Sequence, residues 1–433
     1  MSSTSNSSLL IIGAGTWGCS IALELARRGH TSITVLDGSP FPSPISAGND
    51  INKIAEEGNE PSASDSDEEY FWNKVTQIAM HAWKHDPLFS PLYHETGFIM
   101  AAVSDGAYAR CLDYAKRRKD DTCRTKYKTR LSEDDARRRA ARRITRLEGL
   151  LWKKQGAGWV FASGTLKAMH QEAVNLGVHF VTGTEGKTEE FLYTSNNTIR
   201  GAKTANGGEY TAEHIILSAG ANSERLLDFK KQLRPTAWTL AHLPLSADEA
   251  ARYRNLPVLY GVDRGFFIEP DVEKHEIKLC DEHPGYINPE VNDGELHSVP
   301  FSREEIPREA ELRMRRLLSE TMPQFAERPF SFTRICWDAD TVDRMFLLDK
   351  HPEVSNLIVA VGGSGNGFMA CPAIGKLVAD VFEAKVDERL RKVMRWRPEI
   401  AVERDWWDAQ GRYGADGKVM DFRQVEEWTT VGK

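Results

Sequence analysis

The chain has 433 residues, 41% of them hydrophobic and 27% charged, with a formal net charge of −7. That length predicts two domains around a core large enough to enclose a ligand. The acidic balance argues against a general nucleic-acid binder, and no apolar run reaches the roughly 18 residues a membrane helix needs, so a small-molecule partner is expected.

The first residues, MSSTSNSS, are polar and place no basic residue ahead of an apolar stretch, which predicts neither a secretory nor a transit signal and an intracellular, cytoplasmic location. From Leu9 to Asp37 an apolar run, the turn GAGTWG, an amphipathic stretch and a second apolar run ending on an acid follow one another. This is the layout of a dinucleotide-binding βαβ unit. The acidic stretch EEGNEPSASDSDEE reads as a mobile loop, and a helix is predicted from Tyr70 through AMHAWKHD. Residues 110–154 hold 17 Lys or Arg against 7 Asp or Glu; Ala, Ile and Leu at helical spacing beneath the arginines make solvated helix faces the first reading.

Downstream, LKAMHQEAVNLGVHFVTGT reads as helix then strand, and HIILSAGANS as a buried strand ending in small residues. GFFIEPDVEKHEIKLCDEHPG is predicted to be a hairpin turning at PDVEKH, and Pro307 to open a helix. NLIVAVGGSGNGF is a last apolar strand running into the helix ACPAIGKLVADVFEA, and a Trp-rich, charged tail follows Trp396. Strand, glycine loop and helix thus open and close the chain, with hairpins between. The expectation is an α/β protein in two interleaved domains: a dinucleotide-binding domain from 1–60, 150–225 and 330–395, a substrate domain from 61–149 and 226–329, and a tail, 396–433, near the active site.

In the turn, Gly13 lets the chain leave its strand, Gly15 lets N–H groups near Thr16 and Trp17 approach a pyrophosphate, and Gly18 lets the helix pack on the sheet. Asp37 is placed to grip a ribose hydroxyl and disfavours a 2′-phosphate, hence NADP. Three more segments are of the kind that wrap one long cofactor: SAGNDINK with Ser46 and Lys53, ILSAGANS with Ala219 and Gly220, and the loop of Gly363, Gly365, Gly367 and Phe368. The helix after that last loop points a positive end at an anion, a requirement of reduced flavin rather than nicotinamide. Six cysteines, Cys19, Cys111, Cys123, Cys280, Cys336 and Cys371, form no C-x-x-C pair, so free thiols are expected and neither a metal site nor a disulfide framework.

The segments GAGTWG, PISAGNDINK, LRPTAWTL, RGFFIEPD, EIKLCDEHPGY, RPFSFTRICW and VMDF closely resemble the fungal amadoriases, the fructosyl amino acid oxidases, within the sarcosine oxidase family of FAD enzymes. The resemblance runs from about Leu9 to Trp428 and is weakest over 55–155. It implies a glutathione-reductase-like FAD-binding domain interleaved with an antiparallel-sheet substrate domain. Cys336 matches the cysteine bonded to the flavin, with Asp338 beside it where close relatives often carry Cys. Lys278 matches the lysine that promotes reaction with dioxygen. Glu282 matches the carboxylate that meets the substrate's sugar or amine, and Arg412 the arginine for its carboxylate, with Lys53 and Trp238 lining the same pocket.

One departure stands out: Met369 occupies the position of a family lysine that helps hold the substrate carboxylate. Loss of a charged hydrogen bond weakens binding by about 1.5–3 kcal/mol. The expected function is an FAD-dependent oxidase that takes a secondary amine of the glycated amino acid kind and dioxygen to an imine and hydrogen peroxide, acting as a monomer. Two alternatives stay open: the same chemistry on another N-alkyl or N-methyl amine, motivated by Met369, and a flavin dehydrogenase or catalytically silent flavoprotein. The C-terminal VGK lacks the Ser-Lys-Leu type of peroxisomal address, so a peroxisomal location stays open without that signal to support it.

Overall fold

The computed structural model describes residues 7–117, 148–153, 155–292, 294–411 and 417–429. Its first sheet has six strands in the order Leu347–Lys350, Leu357–Val361, His214–Leu217, Leu9–Ile12, Ile33–Asp37 and His179–Thr182. All ladders are parallel except at the Leu347–Lys350 edge. Runs such as LLII and LIVAV suit this place because both faces are covered. Leu9 and Ile11 pack with helices Thr16–Arg27, Ala162–Asn175 and Cys371–Phe382, while Leu10 and Ile12 enter a second core beneath the meander Thr188–Tyr193, Ile199–Thr204 and Glu209–Thr211.

The second sheet has nine strands, mostly antiparallel, centred on the long strand Leu233–Pro244. That strand pairs with Glu276–Asp281 on one side and, over ten residues, with Phe332–Thr341 on the other. Strand Phe332–Thr341 and residues 150–153 of strand Glu148–Lys153, grouped by the sequence reading with the nucleotide-binding segments, hydrogen-bond within this second sheet. Period two divides its faces. Ala237, Ala241, Ile277, Leu279 and Ile335 pack with Met314, Leu317 and Leu318 of helix Arg308–Thr321, leaving Trp238, Lys278, Cys280 and Cys336 to line a cavity.

The hairpin expected at 265–285 is present as Gly265–Phe267 paired with Glu276–Asp281. The acidic stretch expected as a loop is irregular over 57–66 and is bounded by strand Lys53–Glu56 and helix Asp67–His85. Ser66 and Glu69 form a reciprocal capping box, the acids Asp67, Glu68 and Glu69 complement the helix dipole, and Phe71, Val75, Ala79 and Trp83 bury its inner stripe. Arg389 ties the approach by bonding Asp67 at 2.8 Å and the Asp65 carbonyl at 2.6 Å. Most of the basic 110–154 region, 118–147 and 154, lies outside the described residues. No helix among the described residues is long and apolar enough to cross a membrane.

Candidate active site

The cavity, about 1650 Å³, runs along the C-terminal edge of the parallel sheet and onto the face of the second sheet. That volume exceeds the roughly 300–1,000 Å³ of ordinary small-ligand pockets. At its first end the glycine turn has the geometry a dinucleotide requires. Gly13 has φ +107°, and a Cβ there would stand 2.5 Å from the Ser218 carbonyl oxygen. A Cβ on Gly18 would lie 1.8 Å from the Gly13 oxygen, so glycine sets the helix against the turn from outside the cavity lining. A Cβ on Gly15 would stand 3.7 Å from Ser46 Oγ across the cavity wall, and helix Thr16–Arg27 begins with neither a side-chain cap nor an acid in its first turn. Its free N–H groups therefore face the cavity and suit a phosphate.

Asp37, at the strand end, accepts from Ala14 N at 2.8 Å and Ser39 N at 2.9 Å. Burial nonetheless pushes its carboxyl above the usual range. Two hydroxyls in the same wall, Ser218 Oγ and Thr188 Oγ1, are buried with no hydrogen-bond partner among the described residues. Such orphaned groups fit an extended polar ligand. The residues present therefore fit a dinucleotide.

At the other end three strands bring the expected reactive residues together. Trp238 stands in register with Cys336, Leu240 with Cys280 and Arg334, and His242 with Lys278. Lys278 is 1% exposed, and its ammonium donates to Asp50 Oδ2 at 2.6 Å and to the Asn52 carbonyl at 2.8 Å. Lys53 donates to the same Asp50 oxygen, also at 2.6 Å. Burial disfavours the Asp50 charge, but Lys278, Lys53 and Arg334 outweigh it and hold the carboxyl far below its usual range. Burial likewise opposes the Lys53 charge, and Asp50 overrides it, holding the ammonium above its ordinary value. Burial pushes the neighbouring Cys280 thiol up to about 12, so it stays protonated and unreactive. Asp281 points to the opposite face, where Thr239 bonds it at 2.5 Å and Arg313 at 2.8 Å.

The C-terminal glycine loop closes the third wall. Gly362 and Gly365 have φ of +88° and +87°, and Trp17 Nε1 donates to the Gly367 carbonyl at 2.8 Å, tying this loop to the first one. Asp338 accepts from the Gly365 and Ala339 N–H groups, which shapes the loop from behind Gly363. The helix after the loop begins at Cys371, so the cavity meets the loop itself, up to Phe368 and Met369, rather than the helix end. Met369 carries its thioether sulfur 3.5 Å from Glu56 N, and its carbonyl accepts from Trp83 Nε1 at 2.8 Å. Glu56 in turn accepts from Tyr114 OH at 2.5 Å.

Of the candidate cofactor, substrate and catalytic residues named from the sequence, all but two line this cavity, including Ser46, Ala219, Gly220, Glu282 and Asp338. Gly18 lies behind it, and Arg412 lies outside the described residues. Gly411, the residue before Arg412, does line the cavity. The tail reaches it under the grip of Arg234, 1% exposed, which donates to the Trp406 and Asp408 carbonyls at 2.8 Å each and to Gln410 Oε1 at 3.1 Å. Sequence reasoning missed Asp50 and Arg334. Asp50 sits in SAGNDINK three residues before Lys53, and an acid so close to a lysine was the available signal. Arg334 offered none, being one more arginine on a strand.

Comparison with known proteins agrees with this geometry. Residues 8–381 match the family model described as FAD dependent oxidoreductase. The fold superposes on fructosamine oxidase (Amadoriase II) of Aspergillus fumigatus with a TM-score of 0.91 and 45% identity, covering 100% of this chain and 99% of that one. For fructosyl amine: oxygen oxidoreductase (Amadoriase I) of the same organism the values are 0.90 and 46%, with 100% and 99% covered. L-saccharopine oxidase of Schizosaccharomyces pombe is 29% identical over 420 residues, 90% of this chain and 93% of that protein. A glycine-turn groove made for a dinucleotide, continued into a chamber holding the buried Lys278 and half-buried Lys53 and matched along nearly its whole length, places this chain in the family of FAD-dependent oxidoreductases.

Proposed function

We propose that the protein oxidises the C–N bond of a secondary amine of the glycated, fructosyl amino acid kind, with dioxygen as acceptor and hydrogen peroxide as product. The observation that carries the reading is the joining, in one cavity, of a dinucleotide groove to a chamber holding Cys336, Lys278 and Glu282. The likeness to the two amadoriases along the full chain supports it. FAD, when bound, supplies the two-electron relay between amine and dioxygen. The amine gives up a hydride from carbon and a proton from nitrogen, dioxygen takes two electrons and two protons, and water splits the resulting imine into an amine and a dicarbonyl sugar.

In this reading the chain's own residues bind, orient and neutralise. Cys336, half-buried beside Trp238 in the cavity wall, carries the covalent link to the flavin, which prevents cofactor loss. Lys278 presents a fixed, dry ammonium where charge develops on dioxygen. Glu282 contacts the substrate's sugar or amine, Trp238 forms a wall, Lys53 extends the cationic patch, and Arg412 receives the carboxylate. The nucleotide segments bind and the second sheet with the tail selects the amine; the chain acts as a monomer in a reducing, intracellular compartment.

A second reading, the same oxidation of another N-alkyl amine, is favoured by Met369, whose apolar thioether faces the cavity beside Glu56. A coupled peroxide assay separates the two. Turnover of fructosyl-glycine or fructosyl-valine supports the first; silence toward both with turnover of N-methyl or carboxyalkyl amines overturns it in favour of the second.

A further inference from the structure

We propose that Asp50 is a positioning residue for dioxygen chemistry: one buried carboxylate that holds the ammonium groups of Lys278 and Lys53 together at the reactive end of the cavity. The inference rests on the oxidase reading above and adds a residue to it.

Both lysine nitrogens lie 2.6 Å from one atom, Asp50 Oδ2, so they approach each other far more closely than two like charges would alone. The carboxylate is itself 5% exposed and fixed at its other oxygen by the Ile51 N–H at 2.8 Å, while its carbonyl accepts from Ser163 N at 2.8 Å. It therefore cannot follow a lysine that moves. Lys278 has a second anchor, the Asn52 carbonyl, and the Phe266 ring lies 5.5 Å from its nitrogen. The other ionisable groups facing this cluster are Arg334 and Cys336 from the strand Phe332–Thr341 and Cys280 from Lys278's own strand. His242 stands beside Lys278 in register, and its Nδ1 is taken by Glu276 at 2.9 Å. Among these faces Asp50 is the acid in contact with both ammonium groups. Remove its charge, and burial and mutual repulsion both favour one lysine giving up its proton.

The test is lysine-selective 15N NMR of the FAD-loaded protein against pH, with the two buried signals assigned from Lys53→Met and Lys278→Met. In the natural chain the Lys53 nitrogen is expected to stay ammonium through the ordinary lysine range, held there by Asp50. In Asp50→Asn at least one of the two nitrogens is expected to lose its proton below about pH 9, as unpaired buried lysines do. Reoxidation of the reduced flavin by air should then fall by about 10²–10³ once that proton is lost on going from neutral pH to above pH 9, the range for losing one charge-stabilising group, while Asp50→Glu keeps the natural profile. Two ammonium signals and a natural profile in Asp50→Asn overturn the proposal. If that variant does not fold, Lys53→Met decides: Asp50 remains for Lys278, whose ammonium must persist, and its loss overturns the proposal equally. Slow reoxidation of the natural protein in air is a different result, and it sinks the oxidase reading itself.

Discussion

Trp238 and Cys336 stand directly opposite one another across the antiparallel ladder, two strand residues facing the same cavity at the point where the nucleotide groove meets the second sheet. This pairing fixes the thiol laterally, because the ladder runs unbroken for ten residues from Leu233 to His242. A thiol so held can meet one edge of a planar ring only if the ring lies along the cavity. Cys336→Ser is therefore expected to bind FAD without bonding it. Acid precipitation should leave the natural pellet yellow and the variant's supernatant yellow, and mass analysis should find the flavin adduct only on natural Cys336.

Lys278 leads to a prediction about rate. Its ammonium is fully buried and twice bonded, so a methionine there removes the charge with little change in volume. Lys278→Met is expected to slow oxidation of the reduced flavin by about 10²–10³, the usual effect of losing one preorganised charge-stabilising group. Stopped-flow mixing of reduced enzyme with aerated buffer measures it. Unchanged oxygen reactivity would favour the dehydrogenase or silent-flavoprotein alternative.

Much of this arrangement was legible in the residues before any coordinates. The parallel sheet announced itself through LLII, HIIL and LIVAV, since strands buried on both faces read as unbroken apolar runs. Period two in EIKLCD places Lys278 and Cys280 on the face opposite Ile277 and Leu279, and the strand divides that way. What could not be read was long-range pairing. Asp50 and Lys278 are 228 residues apart, and no local pattern links a loop acid to a strand lysine. The pairing of strand Phe332–Thr341 with Leu233–Pro244 was out of reach for the same reason, since the two lie about a hundred residues apart. The acidic stretch is irregular over 57–66, as its composition implies, and its S-x-x-E motif, Ser66 with Glu69, marks where the helix takes over.

Met369 yields a test of specificity. A lysine placed there would extend past Glu56, whose carboxylate is engaged by Tyr114, into the cavity that holds Lys53. Met369→Lys is expected to lower KM for fructosyl amino acids with little change in kcat, a gain of about 1.5–3 kcal/mol for a restored charged hydrogen bond. Steady-state kinetics on fructosyl-glycine checks it. An unchanged KM would remove Met369 as a determinant of carboxylate binding.

Glu224 governs a pH effect on stability outside the reactive end. Burial pushes its carboxyl up to about 8, against the pull of Arg404, and His297 Nδ1 lies 3.5 Å away. Below about pH 4.5 the folded and unfolded chains both carry the proton, so the residue is neutral. As pH rises toward 8 the unfolded chain releases it and the folded chain keeps it, so stability falls through that window and then levels, by on the order of a few kcal/mol. Glu224→Gln should abolish this slope. Melting temperatures of both proteins from pH 5 to 8.5 are expected to diverge in the variant's favour, and parallel curves would contradict the assignment.

Arg234 connects stability to substrate affinity. Its guanidinium is the common partner of the Trp406 and Asp408 carbonyls and of Gln410, whose amide in turn donates to the Val342 carbonyl at 2.8 Å. Each buried carbonyl stripped of a donor costs about 1–3 kcal/mol, and methionine replaces none of these bonds. Arg234→Met is thus expected to lower the melting temperature and to loosen the segment that delivers Gly411 to the cavity wall. Since that segment leads directly into Arg412, the proposed carboxylate ligand, KM should rise more than kcat falls. Arg234→Lys keeps the charge but cannot bridge two carbonyls and an amide in one plane, so it should recover part of the stability and little of the affinity. A lysine variant with natural KM would show that the tail is positioned by something other than this clasp.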